Sequence, residues 1–182
     1  MKRLALFFAL SLAALAPAWA QPAAFAEKPA LVTAIGQSAD FEMVKVLLTR
    51  GKIPFTAEPL VKAQGLGPAA KTLVLVAGGS SKGLGAAGIS VEAESERAKA
   101  LLARAKELKM KIITVHLGGS ARRGPLSDSF IQLCLAASDY AIVVAEGDND
   151  GLFSKTAAER KFELTKVDKI SQVGAPLTAV FK

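Results

Sequence analysis

Short runs of consecutive apolar residues alternate along this chain with longer segments in which apolar residues recur every three to four positions. The short runs predict β-strands, and they lie at residues 30–35, 55–57, 73–77, 111–117, 140–145 and 163–167. The periodic segments predict amphipathic helices at residues 38–49, 92–108, 125–137 and 152–160. Elsewhere the pattern predicts a loop with at most one helical turn over 58–71, a turn or helix over 168–173, and a strand or packed tail over 177–181.

The order of these elements indicates the fold class. Strand–helix alternation with short connections predicts a parallel sheet with helices on both faces, and nearly continuous apolar strands fit a sheet that is buried on both sides. We therefore expect a single α/β domain over residues 30–182. It would be a three-layer sandwich around a mainly parallel sheet of five or six strands, flavodoxin-like or minimal Rossmann-like.

The first residues have the parts of a secretory signal peptide. Lys2 and Arg3 precede an apolar stretch over residues 4–15, which is too short to span a bilayer, and Ala20 ends a small-residue cleavage motif. A second such motif ends at Ala26, so cleavage after either alanine is open. We expect a periplasmic or secreted protein that is not integral to the membrane after processing, with a flexible leader over residues 21–29.

The excess of basic residues is spread over the chain rather than gathered in one patch. The formal net charge is +7 and aromatic residues make up 6% of the chain. Most basic residues, Arg97 among them, fall on predicted polar helix faces, without interleaved aromatic residues. This pattern predicts a solvated surface and argues against a nucleic-acid partner. The single cysteine, Cys134, forms no intramolecular disulfide, and its apolar neighbours favour a buried role.

A glycine-rich loop follows the predicted strand at residues 73–77. In a parallel sheet, the loops at the carboxyl ends of the strands share one edge, and ligands bind there. Because glycines let amide N–H groups turn toward an anion, this loop predicts an anion-binding site. The alternative is that its glycines serve only a tight turn from strand to helix. The candidate ligand-binding residues are Gly78, Gly79, Ser80, Ser81, Lys82 and Gly83.

The loop after the next predicted strand carries two adjacent arginines between glycines. Guanidinium groups favour planar oxyanions, which makes Gly119, Ser120, Arg122 and Arg123 further candidates for ligand binding. The alternative interpretation is a solvated basic corner. Together the two loops predict a small anionic ligand as the partner of this chain.

A third loop at the same predicted edge is acidic. Glu146, Asp148 and Asp150, followed by Gly151, match the start of a calcium-binding loop. Position twelve of that loop would be Ala157, which excludes an EF-hand because the closing carboxylate is missing. A looser divalent-cation site on these three carboxylates is one interpretation. Helix capping, or ion pairing with the basic residues of the neighbouring loops, is the other.

Familiar enzyme signatures are incomplete in this chain. The glycine spacing fits that of short-chain dehydrogenases, but the only tyrosine, Tyr140, is followed four residues later by Val144 and not by lysine. No Walker A motif is present. The lone histidine, His116, lies on an apolar strand, which favours a buried, hydrogen-bonded role. We therefore expect no cofactor, with the divalent cation above as the alternative.

Three long segments carry a resemblance to a known family. They are residues 75–89 with the glycine-rich loop, residues 118–128 with the arginines, and residues 139–151 with the acidic loop. In these segments the chain resembles a family of small exported bacterial and archaeal proteins, domain of unknown function 6305. The resemblance extends over nearly the whole chain after the signal peptide. It implies a single domain and brings no established activity or ligand.

Three functional hypotheses follow. The leading one is an exported domain that binds a small anionic ligand at the carboxyl edge of its sheet. The second is a metal-dependent hydrolase or transferase that uses Glu146, Asp148 and Asp150. The third is a module that binds another protein of the cell envelope, and the sequence leaves the oligomeric state open.

Overall fold

The computed structural model describes residues 22–182, and a six-stranded sheet forms its centre. The strands are β1 (Ala30–Ile35), β2 (Phe55–Ala57), β3 (Thr72–Ala77), β4 (Lys111–His116), β5 (Tyr140–Val144) and β6 (Glu163–Val167). All neighbouring strands pair in parallel, in the order β2-β1-β3-β4-β5-β6. This order is flavodoxin-like, and the direction of strand succession reverses between β1 and β3.

Helices cover both faces of the sheet. They are α1 (Asp40–Arg50), α2 (Ser81–Ala86), α3 (Val91–Glu107), α4 (Pro125–Leu135), α5 (Leu152–Arg160) and α6 (Gly174–Ala179), with 3₁₀ turns at Ala63–Gly65, Ser120–Arg122, Ala145–Asp148 and Ile170–Gln172. Buried residues of α1 and α6 pack on one face, and those of α2 to α5 pack on the other. The predicted three-layer sandwich is thereby confirmed. Within residues 22–182, none of these helices has the length and hydropathy needed to cross a bilayer.

The core is built mainly from the apolar strands, as their composition predicts. Every residue of β1, β3 and β5 is buried, which is the pattern of a parallel sheet with helices on both sides. Cys134 of α4 is fully buried, and because burial disfavours the charged thiolate, the pKa of its thiol is raised. The predicted buried role of this cysteine is confirmed.

Two segments differ from the sequence prediction. Residues 81–86 form α2, where the pattern predicts a loop. The Ser80 hydroxyl accepts from the Gly83 amide at 3.0 Å and caps this short glycine-containing helix. Residues 177–181 were expected as a strand or tail, but they begin within α6, whose Leu177 is buried with α1. Only Phe181 pairs like a strand, in a parallel bridge with Ala26.

The start of the described chain is packed against the domain. The predicted signal peptide and Gln21 lie outside the described residues. The sequence predicts a flexible leader over residues 21–29, yet Ala26 is fully buried and its amide donates to Val180. Glu27 exchanges two hydrogen bonds with Thr72 at the start of β3. Ala26 and Glu27 are therefore packed against the folded domain.

Candidate functional site

The loops after β1, β3, β4 and β5 leave the sheet at its carboxyl edge, as parallel pairing requires. The β1 and β3 loops meet in an antiparallel bridge between Gln37 and Gly79. The β4 and β5 loops meet where Arg123 reaches Asp150 at 2.8 Å. The glycine-rich loop, the arginine loop and the acidic loop therefore share one edge.

The amides of the glycine-rich loop are largely occupied by partners within the domain. Two of them bind the β1 side of the sheet, one binds α4, and one binds the loop's own serine. The pairs are Gly78 to the Ile35 carbonyl at 3.0 Å, Ser80 to the Gly36 carbonyl at 2.8 Å, Gly79 to the Ser127 hydroxyl at 2.9 Å, and Gly83 to the Ser80 hydroxyl at 3.0 Å. These four N–H groups are therefore not directed at a bound anion.

Close packing explains why two of these residues must be glycine. A Cβ atom at Gly83 would lie 2.0 Å from the carbonyl oxygen of Gln37, and one at Gly79 would lie 2.7 Å from Leu126. Both distances are shorter than real Cβ contacts allow. The geometry therefore favours the interpretation that the glycines permit close approach of loops and helices. Lys82, on the outer side of α2, is exposed and forms no ion pair with any residue in 22–182.

The two arginines of the next loop have different surroundings. Arg122 is exposed, and its side chain folds over Gly118, where an added Cβ would lie 2.0 Å from the Arg122 Cγ. Arg123 has a side chain only 12% exposed. Its position between the β4 and β5 loops makes it a bridge that joins them, while Arg122 faces solvent.

Arg123 uses most of its hydrogen-bonding capacity within the domain. Its Nε donates to Asp128 at 2.6 Å, its Nη1 and Nη2 donate to Asp150 at 3.1 and 2.8 Å, and Nη1 also donates to the carbonyl of Gly147. A guanidinium has five N–H donors, so about one is left for a ligand. Hydrogen bonds from Arg123 lower the pKa of Asp128 and lower that of Asp150 to about 2, so both carboxylates are charged at neutral pH.

The three carboxylates of the acidic loop diverge. Asp148 caps α5 by accepting from the amides of Phe153 at 2.7 Å and Ser154 at 3.2 Å, and it pairs with Lys166 at 2.6 Å. Asp150 accepts from Arg123, while Glu146 is exposed and has no hydrogen-bond or ion-pair partner in the described part of the chain. Burial alone would raise the pKa of Asp148, but its ionic and capping hydrogen bonds lower it.

This divergence bears on the predicted cation site. Among residues 22–182, no group of three or more His, Cys, Asp or Glu side chains is arranged to hold a metal ion. Glu146, Asp148 and Asp150 therefore do not assemble as a metal centre, because Asp148 is turned into the cap of α5 and Asp150 toward Arg123. Helix capping and ion pairing, the alternative stated above, describe the contacts of both aspartates.

A recess of about 210 Å³ opens between the β4 and β5 loops, and we call it the edge pocket. It is lined by Ser120, Arg123, Asp128, Glu146, Asn149 and Asp150. Three of these six side chains are carboxylates and one is a guanidinium, so negative charge is in excess. Four of the predicted site residues line this recess. The glycine-rich loop, Gly119, Arg122 and Asp148 do not, while Asp128 and Asn149 are lining residues that were not among the predicted ligand-binding or metal residues.

His116 lies behind this edge, within the core. Its Nδ1 is 2.8 Å from the Ala77 carbonyl oxygen, and because a carbonyl only accepts, Nδ1 carries the proton. Its buried Nε2 has no hydrogen-bond partner among the described residues, and its ring is tilted by 32° to that of Phe153, with the ring centroids 5.6 Å apart. Burial lowers the pKa of His116, so its imidazole is neutral at neutral pH. The predicted buried, hydrogen-bonded role is confirmed.

A buried ion pair under the β1 loop is the main feature that the sequence prediction missed. Glu94 is fully buried and accepts from the Gly36 amide at 2.8 Å, while Arg97 donates to Glu94 at 2.7 Å and to the carbonyl oxygens of Ala34 and Val61. Arg97 was expected on a solvated helix face, and its side chain is only 9% exposed. The sequence did contain a signal for the burial of this pair. The apolar positions of α3 recur every three to four residues, and the same spacing counted back by one turn gives the positions of Glu94 and Arg97.

The comparisons with known proteins agree with the extent of this domain. A family model for a domain of unknown function, DUF6305, matches residues 27–181, which contain the whole sheet, the six helices and the three edge loops. Searches of curated proteins and of solved structures found no match. Since the match covers most of the chain, this protein belongs to the DUF6305 family.

Proposed function

We propose that this protein is an exported binding domain that holds a small polar ligand in the edge pocket. The observation that carries the proposal is the recess of about 210 Å³ at the carboxyl edge, lined by polar and charged residues of the β4 and β5 loops and of α4. The Arg123 side chain ties these two loops together through Asp128, Asp150 and the Gly147 carbonyl. Because these contacts hold the two loops in place before a ligand binds, less conformational entropy is lost on binding.

The free groups of the edge pocket favour a ligand that donates hydrogen bonds. Arg123 has few donors left, whereas Glu146 has both carboxylate oxygens free of protein partners within residues 22–182. Ser120 and Asn149 add a hydroxyl and an amide. A ligand with several hydroxyl groups or an ammonium group complements this arrangement better than a phosphate or a carboxylate does.

An anionic ligand, the leading expectation from the sequence, is the second candidate. It is supported by Lys82 and Arg122, two exposed cations that follow the neighbouring strands β3 and β4. Neither forms an ion pair with any described residue. This candidate places the anion on the outer rim of the edge, beside the edge pocket.

Thermal unfolding of residues 21–182 distinguishes the two candidates. One panel contains monosaccharides, amino sugars and short amines, and the other contains phosphate, carboxylates and nucleotides. A ligand at 100-fold its dissociation constant stabilises the folded state by about 2.7 kcal/mol, which raises the melting temperature of a domain this size by about 5–11 °C. Circular dichroism is a suitable readout.

Matched variants assign any observed shift to a site. For a ligand of the first panel, Glu146→Gln should abolish the shift, while Glu163→Gln, an exposed glutamate of β6, should retain it. For an anion, Lys82→Ala should abolish the shift and Glu146→Gln should retain it. If neither panel shifts the melting temperature, both binding proposals are refuted, and a protein partner at this edge becomes the better hypothesis.

A further inference from the structure

We infer that export processing cuts the Ala20–Gln21 bond, so that the mature chain begins at Gln21 and not at Glu27. This inference rests on the export part of the proposed function. The sequence offers two small-residue cleavage motifs, ending at Ala20 and Ala26. The folded domain distinguishes them, because the residues between the two motifs contribute contacts to it.

The backbone of residues 25 and 26 pairs with the last residues of the chain. The amides of Phe25 and Ala26 donate to the Val180 carbonyl at 2.9 and 2.8 Å, and the amide of Lys182 donates to the Ala26 carbonyl at 2.9 Å. Ala26 and Phe181 form a parallel bridge. Cleavage after Ala26 would remove every one of these hydrogen bonds and leave the end of α6 without this partner.

Side chains of the same segment complete the core. The Phe25 ring lies 6.1 Å from that of Tyr140, edge to face, and Ala26 is fully buried in the core beside Val180 and Phe181. The small side chain of Ala26 thus has a structural reason that is independent of processing. Packing therefore explains the alanine at position 26, the last residue of the second motif.

Cleavage after Ala26 would also change the chemistry of Glu27. The Glu27 amide donates to the Thr72 hydroxyl at 3.1 Å, and this hydroxyl donates to the Glu27 carbonyl at 2.7 Å. Thr72 is fully buried at the start of β3. A new amino terminus at Glu27 would place a charged ammonium group at this partly buried position, which is unfavourable.

The first experiment measures the mass of the processed protein. The full chain is expressed in a Gram-negative bacterium, the periplasmic fraction is isolated, and the mature protein is identified by intact mass and peptide mapping. A chain that begins at Gln21 supports the inference. A chain that begins at Glu27 overturns it while export stands, and unprocessed precursor in the cytoplasm overturns both the inference and the export proposal.

Variants at the two motifs test the choice of site directly. Ala20→Glu should block processing and accumulate precursor, without a shift of cleavage to Glu27. Ala24→Glu alters the second motif at an exposed position, and the mature chain should still begin at Gln21, with the intact mass changed only by the substitution itself. Cleavage of the Ala20→Glu variant between Ala26 and Glu27, with a normal yield of folded protein, would contradict the inference.

A stability comparison tests the structural reason. Residues 27–182 should melt at least about 5 °C below residues 21–182, because several hydrogen bonds and the Phe25 contact are lost. The single variant Phe25→Ala, made in residues 21–182, should lower the melting temperature by part of that amount. Equal melting temperatures for the two lengths would show that residues 21–26 are dispensable for stability and would overturn the inference.

Discussion

Replacing Glu94 by alanine should destabilise the domain more than any other single carboxylate change in α3. Glu94 is fully buried and accepts from the Gly36 amide, the Gln37 side chain and two nitrogens of Arg97. In the variant, Arg97 would keep only the Ala34 and Val61 carbonyl oxygens as acceptors. Its positive charge would be buried without a counter-ion, and the Gly36 amide would lose its partner.

The expected magnitude follows from this loss. Breaking a buried ion pair by removing one partner costs about 3–5 kcal/mol, a large part of the total stability of about 5–15 kcal/mol that is usual for a domain. For a domain of this length the melting temperature should fall by about 6–20 °C. The same helix contains an exposed pair, Glu96 with Lys99, whose side chains are 74% and 55% exposed. Such a surface pair contributes at most about 1 kcal/mol.

The assay is urea unfolding at neutral pH, followed by circular dichroism, of the wild type, Glu94→Ala and the matched control Glu96→Ala. A double variant, Glu94→Leu with Arg97→Met, should be more stable than Glu94→Ala because it removes the unpaired charge as well. If Glu94→Ala is no less stable than Glu96→Ala, the ion pair does not hold the β1 loop in the way argued above.

Three further changes have defined outcomes. Because burial lowers the pKa of His116, its stabilising contribution is complete above about pH 6.5 and is lost as the pH falls below that value. The variant His116→Gln should therefore show a smaller change of melting temperature between about pH 5 and 7 than the wild type. An equal pH dependence in the two proteins would contradict this. Gly83→Ala should cost about 1–3 kcal/mol by clashing with the Gln37 carbonyl oxygen, whereas Gly85→Ala, with open space at its Cβ, should be neutral or stabilising by thermal melts. Asp148→Ala should lower stability in urea by about 2 kcal/mol through loss of the α5 cap, and a loss below about 0.5 kcal/mol would refute that role.

The candidate site shows how far residue patterns predict function in this chain. The meeting of the three loops at one edge was predictable, because parallel strands direct their carboxyl ends to the same side. The role of Arg123 was not predictable from the sequence, because an arginine in a loop fits an oxyanion ligand equally well. The carboxylates that accept its hydrogen bonds belong to Asp128 and Asp150, which lie 5 and 27 positions away along the chain. The same limit applies to the glycine-rich loop, whose amides meet partners supplied by β1 and α4.

The sequence by itself determined the alternation of elements, the burial of the strands and the parallel sheet, because apolar periodicity is a local property of a few neighbouring residues. It also determined that His116 and Cys134 are buried, from their apolar surroundings. Only the tertiary structure decided which charged groups pair and which amides are free, since those partners come from distant parts of the chain. Glu94 with Gly36, Arg123 with Asp150, and Ala26 with Val180 are all consequences of that packing.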